Sequence, residues 1–359
     1  MEILAINPGS TSTKIAWFRD GEEVWGDTIR HDPEDLVKFE HIVDQFCFRF
    51  ATIKEAVAKH GGVLDSLDAV VGRGGILDPM PGGTYEVDKV LIERAKLGKP
   101  WEHASNLGCM LADAFAAPLD IPAFIVDPVS VDEMDPVAKI TGLPELPQYC
   151  LSHALNIKAT VRRAASDLGG DWRKLNFVVA HLGGGLSICA HERGRIIDFC
   201  SGNDVGPFSP ERTGGLPVGP LVRKCFSGEL SQKDMLGRLV GRGGVVAYLG
   251  TSDMREVKRR IDSGDAKAEI VVRAMAFQIA KAIGAFAAYM AGNVDAILIT
   301  GGVAHYSELV AMIQERVQWI APVLRYPGED EMSNLAAGAL RVLRKEEKPK
   351  RYEDYRKVE

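Results

Sequence analysis

The segment from Asn7 to Lys14 contains the residue types that point most directly to chemistry. It holds one glycine, four hydroxyl side chains and one ammonium group, and apolar runs that predict β-strands lie on both sides of it. Such a hairpin tip buries little, and it offers backbone N–H groups, the hydroxyls of Ser10 and Ser12 and a cation to an anion. Nucleotide phosphates are the best match. A strand follows the glycine, so this is not the strand-to-helix phosphate loop, and an ordinary polar turn is the alternative.

Two further glycine-rich segments follow strand-like runs. The run from Asn176 to Phe199 repeats the N-terminal order of strand, glycine turn, strand, tight turn and strand, with Gly183, Gly184 and Gly185 at its first turn. This internal echo favours two halves of related architecture, each presenting one glycine hairpin, although two β-meanders can also be alike by chance. A third apolar strand ends at Gly301 and Gly302 before a helical pattern, where backbone can approach a flat ligand closely.

Composition restricts the class of protein. The chain has 359 residues and a net charge of −6, so it offers no basic stripe for nucleic acid. Its six cysteines form no C-x-x-C pair and no export signal is visible, which favours reduced, mostly buried thiols and a cytoplasmic location. Arg273 and Lys281 interrupt the one long apolar segment, 268–292, so we expect a buried or subunit-interface helix, at least a homodimer and no membrane partner.

The ordered motifs resemble those of the acetate/butyrate kinase family, a branch of the actin-like ATPase superfamily that also contains sugar kinases, actin and heat-shock chaperones. The resemblance runs nearly end to end, and within the family the chain resembles the butyrate kinases. The motifs are NPGSTSTK, GRGG at 72–75, HASNLG at 103–108, FIVDPVSVDEM at 124–134, SH at 152–153, AHLGGGLS at 180–187, SPERTGGLP at 209–217, ITGG at 299–302 and GEDEM at 328–332.

The resemblance implies an α/β fold of two related actin-like (ribonuclease H-like) domains, each a mixed β-sheet flanked by helices, with the active site in the interdomain cleft. We expect the first domain to comprise 1–132 and 334–359, and the second to comprise 133–333. The implied activity is reversible transfer of the γ-phosphoryl group of ATP to butyrate, giving butyryl phosphate and ADP. Isobutyrate and other branched acids stay open as acceptors, and Mg²⁺ with ATP or ADP is the implied cofactor.

Five residues at matching motif positions carry implied catalytic roles. Arg73 and Arg212 correspond to the arginines that hold the carboxylate and the transferring phosphoryl group, and a planar guanidinium suits both tasks because it donates two parallel hydrogen bonds. His153 and His181 are the implied donors to phosphoryl oxygens, with a capping or core role as the alternative for His153. Asp127 is implied to organise Mg²⁺ or to orient an arginine.

The expected nucleotide and metal contacts are spread over the three glycine segments. The expected nucleotide contacts are Asn7, Ser10, Ser12, Lys14, Gly183, Gly184, Gly185, Gly301 and Gly302, the last two behind the adenosine. Because Mg²⁺ favours one or two carboxylates plus phosphate oxygens and waters, a second carboxylate is expected beside Asp127. Glu331 is the preferred candidate and Glu329 the open alternative, with Asn7 as a further member of the metal site.

The chemistry and the acceptor pocket follow from the same residues. A carboxylic acid is already ionised at neutral pH, so we expect direct in-line transfer without a general base. Gly74 and Gly75 follow Arg73 where acetate kinases carry valines, which predicts a pocket widened for a three-carbon tail. A purely backbone role for these glycines is the alternative. The rival functions are a sugar or polyol kinase of the same fold and a non-catalytic nucleotide-dependent sensor.

Overall fold

The computed structural model describes residues 1–355. The chain divides into two compact units: unit 1 contains Met1–Asp132 and the described residues from Asp330 onward, and unit 2 contains Glu133–Glu329. We expected the chain to return to the first domain at position 334, and it returns to unit 1 at Asp330. Glu331 therefore lies in unit 1. The last four residues of the expected first domain, 356–359, lie outside the described residues.

The elements are numbered in chain order. Unit 1 begins with β1 (Glu2–Pro8), β2 (Ser12–Arg19), β3 (Glu22–Arg30), α1 (Pro33–Leu36), α2 (Phe46–Lys59), β4 (Ala69–Arg73), β5 (Thr84–Glu86), α3 (Lys89–Lys96), α4 (Leu107–Ala116) and β6 (Ala123–Val126). Unit 2 contains α5 (Ala154–Asp167), β7 (Asn176–Leu182), β8 (Leu186–Glu192), β9 (Arg195–Ser201), α6 (Val218–Cys225), α7 (Gln232–Leu239), α8 (Val245–Leu249), α9 (Met254–Asp262), α10 (Ala266–Tyr289), β10 (Ala296–Gly301), α11 (Ser307–Val317) and β11 (Val323–Pro327). Helix α12 (Glu331–Leu343) returns the chain to unit 1.

Short 3₁₀-helices connect several of these elements. They are Ile42–Gln45, Leu64–Ser66, Ala104–Asn106, Ala117–Leu119, Pro136–Lys139, Gly302–His305 and Tyr352–Asp354. The one at Gly302–His305 lies between β10 and α11, so the expected change from strand to helix after Gly301 passes through a short tight turn.

The two sheets share one topology. In unit 1 the strand order is β3-β2-β1-β4-β6-β5, and in unit 2 it is β9-β8-β7-β10-β11. In both, the first three strands form an antiparallel meander, and the next two strands add to the first in parallel. The internal echo in the sequence therefore marks two related α/β units with mixed sheets, and the prediction is confirmed. Strand β5 is an addition to unit 1 alone.

The strands that carry the glycine turns form the core of each unit. Ile3–Ile6 in β1 and Phe177–Ala180 in β7 are fully buried, because each strand lies inside its sheet and is covered on both faces. Helix α4 packs against β4 closely enough that a Cβ on Gly72 would lie 2.0 Å from the carbonyl oxygen of Gly108. Rigid strands of this kind fix the direction of the turns and side chains at their ends.

Helix α10 is the long apolar helix that we expected near 268–292. It is long and apolar enough to cross a membrane by length and composition, and half of its most apolar window is buried within unit 2, against α9, α11 and the sheet. This agrees with a core helix. Ile270 and Phe277 are more than half exposed on its other side. Its role as a subunit interface stays a prediction.

Candidate active site

The first hairpin has the predicted form. Strands β1 and β2 pair antiparallel with Asn7 opposite Lys14, and Gly9 donates its N–H to the carbonyl oxygen of Ser12 at 2.7 Å to close the turn. Side chains alternate along β2, so Ser12 and Lys14 face one side while Thr13 is buried on the other. The tip therefore exposes hydroxyls and an ammonium group together.

Arg73 lies at the end of β4, with only 8% of its surface exposed. Its Nη1 donates to Oε1 of Glu331 at 2.7 Å, and Nδ2 of Asn7 donates to Oε2 of the same carboxylate at 2.7 Å. Glu331 is the first residue of α12, where the positive end of the helix dipole also favours a carboxylate. One carboxylate thus joins two predicted site residues that are far apart in sequence.

These side chains line one cavity of unit 1. It has a volume of about 250 Å³ and is lined by Asn7, Pro8, Gly9, Ser12, Lys14, Arg73, His103, Ser105, Val129 and Glu331. A guanidinium, an ammonium group and hydroxyl donors meet in it, so the cavity suits an anionic ligand. Ser10 is exposed at the tip of the hairpin and does not line the cavity.

The packing around Gly74 and Gly75 favours the backbone role of these glycines over a widened pocket. A Cβ on Gly74 would lie 2.5 Å from Cβ of Pro128, and a Cβ on Gly75 would lie 2.4 Å from Oδ1 of Asn106. The space that a side chain would occupy is already filled, so glycine is required for close packing of the loop after β4. The apolar side chains that line the cavity are those of Pro8 and Val129.

Asp127 is not brought to the cavity. Its backbone adopts φ +38, which turns the residue away from the strand direction, and its side chain is fully buried. Oδ1 accepts a hydrogen bond from the N–H of Gly83 at 2.7 Å, and its own N–H bonds the carbonyl oxygen of Gly83. Asp127 therefore ties the loop after β6 to the loop before β5, and the structure gives no support for an Mg²⁺ contact by this residue.

Unit 2 brings the two predicted histidines together. The imidazole rings of His153 and His181 stack with their centroids 3.9 Å apart and their planes within 11°. His153 precedes α5 and its Nδ1 bonds Oγ of Ser187 at 2.8 Å. His181 lies near the end of β7, fully buried, beside the second glycine hairpin.

Asn156 sets the orientation of His181. Nδ2 of Asn156 donates to the carbonyl oxygens of Gly328 and Glu329, which leaves its Oδ1 to accept from Nδ1 of His181 at 2.8 Å. Nε2 of His181 is buried without a hydrogen-bond partner, and Oε1 of Glu329 lies 3.5 Å from it. With Nδ1 as a donor, Nε2 can donate to a phosphoryl oxygen only when the ring carries a second proton. Sequence reasoning missed Asn156, since no local pattern marks it.

Arg212 reaches the second hairpin from a distant loop. A Cβ on Gly185 would lie 2.3 Å from Nη1 of Arg212, so the missing side chain makes room for the guanidinium. The hydroxyl of Ser209 donates to the carbonyl oxygen of Gly184 at 2.6 Å and fixes the loop to the hairpin. Burial lowers the pKa of Arg212 below its ordinary value. Among residues 1–355 the side chain of Arg212 forms no hydrogen bond or ion pair, so its donors are available to a ligand.

The third glycine segment contributes backbone only. Gly301 has φ +90, and a Cβ there would lie 2.3 Å from the carbonyl oxygen of Leu182, so no other residue fits at this position. Gly301 and Gly328 exchange two backbone hydrogen bonds of 3.1 Å. Gly302 is exposed and has open space in its Cβ direction, which is compatible with a flat ligand against this backbone.

The residues present fit an Mg²⁺ that arrives with ATP. Glu331 offers one carboxylate in the cavity that also holds Ser12 and Lys14, and Asn7 lies beside it. Within residues 1–355, no three His, Cys, Asp or Glu side chains form a metal cluster. That donor set suits a cation that takes most of its ligands from phosphates and water. Glu329 lies next to His181 in unit 2 instead.

Comparison with known proteins agrees with this arrangement. Residues 150–321 match the model of the Acetokinase family. The structure is similar to that of an acetate kinase from Porphyromonas gingivalis, at 20% identity and a TM-score of 0.79, covering 95% of this chain and 99% of that one. It is also similar to a propionate kinase from Francisella tularensis (18%, TM-score 0.75, covering 93% and 98%) and to an acetate kinase from Entamoeba histolytica (16%, TM-score 0.75, covering 94% and 98%).

These likenesses extend over nearly the full length of the chains and show the fold. The predicted fold class, two α/β units with mixed sheets of the acetate kinase type, is confirmed. The sequence similarity to the Acetokinase family covers residues 150–321, and the shared fold extends over nearly the whole chain.

Proposed function

We propose that this protein is a short-chain carboxylate kinase whose preferred acceptor is butyrate. The observation that carries the kinase part is the cavity of unit 1, where Arg73 is held by Glu331 beside the hydroxyls and ammonium group of the first hairpin. The match of residues 150–321 to the Acetokinase family supports it independently. The choice of butyrate is supported by the ordered motifs of the sequence, and not by Gly74 and Gly75, whose Cβ directions are filled.

The proposed mechanism is direct transfer between two anions. The acceptor carboxylate is already deprotonated at neutral pH, so the protein must offset charge repulsion and align the groups, and needs no base. Arg73 is suited to hold the acceptor carboxylate, because Glu331 fixes one edge of its guanidinium and leaves other donors for a ligand. In the same scheme Ser12 and Lys14 contact phosphate oxygens.

Unit 2 would supply the charge for the transferring group. Arg212 has unused donors over Gly185, and a doubly protonated His181 would donate through Nε2. His181 is fully buried and Arg212 is partly buried, and such groups act on developing charge more strongly than they would in water. Mg²⁺ bound to ATP would neutralise phosphate oxygens, with Glu331 and Asn7 as the residues that hold it.

Trapping of the product with hydroxylamine tests this function. Purified protein with Mg-ATP and butyrate is expected to give butyryl hydroxamate in step with ADP, whereas mixtures with glucose or glycerol in place of butyrate should give neither. ADP release with a sugar would favour a sugar kinase. Tight ATP binding without any product would favour a sensor, and both results would contradict the proposal.

A series of acids tests the finer part of the proposal. Values of kcat/KM are measured for acetate, propionate, butyrate, isobutyrate and valerate, and butyrate is expected to be highest. Val129 lines the cavity, so Val129→Ala should raise the relative rate for valerate. A wild-type preference for acetate would reject butyrate as the acceptor and leave the carboxylate kinase in place.

A further inference from the structure

An arginine without a carboxylate partner is buried beneath the first hairpin. Arg49 belongs to α2 and none of its side chain is exposed. Arginines are almost never fully buried unless they are paired with an acid. Within residues 1–355 Arg49 forms no ion pair, and burial alone lowers the pKa of its guanidinium, to about 10.

All hydrogen-bond acceptors of Arg49 are neutral, and three of them belong to the hairpin. Nη1 donates to the carbonyl oxygen of Ser12 at 3.2 Å and to Oγ1 of Thr13 at 3.0 Å, and Nη2 donates to the carbonyl oxygen of Ser10 at 3.4 Å. Oε1 of Gln45 accepts from Nε at 3.0 Å and from Nη2 at 2.9 Å. The full positive charge therefore stays beneath the hairpin.

The contacts also determine which groups the hairpin presents. A peptide group is planar and its C=O and N–H point in opposite directions, so drawing the carbonyl of Ser10 towards Arg49 directs the N–H of Thr11 away from it. Thr13 faces Arg49, while its neighbours Ser12 and Lys14 face the cavity. The side chains of Ser12 and Lys14 thus face the cavity, while the carbonyl oxygens of Ser10 and Ser12 point towards Arg49.

The neighbouring histidine does not change this charge. Nε2 of His31 lies 2.8 Å from Oγ1 of Thr13, and the side chain is buried. Burial, with a smaller contribution from the charge on Arg49, lowers the pKa of His31 to about 4. His31 is therefore neutral at physiological pH and adds no charge beside Arg49.

We propose that Arg49 is a positioning residue for polyphosphate binding, which holds the carbonyl groups of the hairpin away from the cavity and supplies an uncompensated positive charge beneath its tip. The proposal rests on the proposed function for the identity of the bound nucleotide. It does not depend on which acid accepts the phosphoryl group.

The variant Gln45→Glu tests the charge of Arg49 separately from its hydrogen bonds. The two side chains have the same shape, so a glutamate can accept the same hydrogen bonds from Arg49 and neutralise it as a buried ion pair. Thermal stability should be kept or raised, whereas the Kd for Mg-ADP should rise about tenfold or more, because the field at the hairpin is lost. Gln314→Glu, an exposed position on α11, makes the same change in net charge and should leave Kd within about twofold.

Arg49→Lys and Arg49→Met give a second, independent comparison. Lysine keeps the charge without the planar fork, so it should restore part of the Mg-ADP affinity that methionine loses. A folded Gln45→Glu protein with unchanged Kd, or equal losses in the two Arg49 variants, would overturn the proposal. Calorimetric binding of Mg-ADP needs no acceptor, so absence of acyl phosphate from the wild type would reject the proposed function alone.

Discussion

The two glycine hairpins occupy equivalent places in the two sheets but are built in different ways. The first carries its own chemistry, because Ser12 and Lys14 are adjacent on one face of β2 and a buried arginine supports the turn from below. The second has no functional side chain between Leu182 and Leu186. Its groups come from elsewhere: His153, Arg212 and Glu329 reach it from separate segments of unit 2.

This difference shows two routes to the same electrostatic result. In unit 1 the hairpin strand β2 carries Lys14 itself, and one short contact to Glu331 holds Arg73. In unit 2 the glycines provide the room into which a distant cation fits. We therefore expect unit 1 to be sensitive to changes of side-chain charge and unit 2 to be sensitive to added bulk at its glycines.

Removal of either site arginine should have the largest effect. Arg73→Ala and Arg212→Ala should each lower kcat by about 10³-fold, because a fixed donor to developing charge is lost in a dry site. Rates are measured by ADP release with saturating Mg-ATP and butyrate. The matched control is Arg94→Ala, which removes a similarly buried ion pair, to Asp78, outside the cavity of unit 1. Near-normal kcat in either site variant would exclude that arginine from the mechanism.

Bulk at the second hairpin should act through Arg212. The Cβ of Gly185→Ala would lie 2.3 Å from Nη1 of Arg212 and must displace it, so we expect a loss in kcat of about 10- to 100-fold with little change in stability. Gly184→Ala meets only an ordinary contact, 3.5 Å to Oε2 of Glu211, and should lose much less. Steady-state rates and thermal midpoints of both variants check this, and equal losses would contradict the displacement of Arg212.

Bulk after Arg73 should affect stability and not acid preference. Gly75→Ala forces a Cβ against Asn106, where overpacking typically costs about 1–3 kcal/mol of unfolding free energy. The ratio of kcat/KM for acetate to that for butyrate should stay at the wild-type value. Denaturant unfolding and the two rate constants are measured on one preparation. A shift of this ratio towards acetate would restore Gly75 as a specificity residue.

Acid sensitivity of the first hairpin region should be the smallest effect. The pKa of His31 is about 4 in the folded protein and the ordinary value is 6.5, so between these values the unfolded chain binds a proton that the folded chain does not. Stability therefore falls as pH is lowered from about 6.5 towards 4. His31→Gln should show a smaller loss of urea midpoint between pH 7 and pH 5 than the wild type.

A variant of opposite sign provides the control for this pH effect. Glu102 raises the pKa of His41, so the folded protein holds that proton more tightly than the unfolded chain. His41→Gln should therefore steepen the loss of stability on acidification. Identical pH dependence in all three proteins would show that neither histidine contributes as described.

The sequence predicts well what depends on neighbouring residues. The hairpin at Asn7–Lys14, the repeated meander and the strand that ends at Gly301 are local patterns of apolar alternation and turn residues, and the structure has them as expected. Their order along the chain also gave the correct fold class. Contacts between distant segments could not be predicted in the same way, because a sequence motif does not indicate which distant side chain will pack against it.

Three residues show why the rest could not be predicted. The sequence around Gly75 does not indicate whether the space in its Cβ direction is open or filled, and in the structure Asn106 fills that space. Asn156 is an unremarkable polar residue of a helix until the fold places it against His181. One feature of the sequence could have indicated Arg49, because it is the single charged residue in the run FCFRF. An arginine in such a run predicts either an interrupted apolar face or a buried cation.

The central claim is that a carboxylate oxygen of the acceptor is the nucleophile that takes up the phosphoryl group of ATP. Protein mixed with Mg-ATP and butyrate labelled with ¹⁸O in both carboxyl oxygens is followed by ³¹P NMR. The account predicts a butyryl phosphate signal with the isotope shift of one ¹⁸O bonded to phosphorus. Formation of ADP with only unlabelled inorganic phosphate or a phosphate ester, and no acyl phosphate signal, would contradict it.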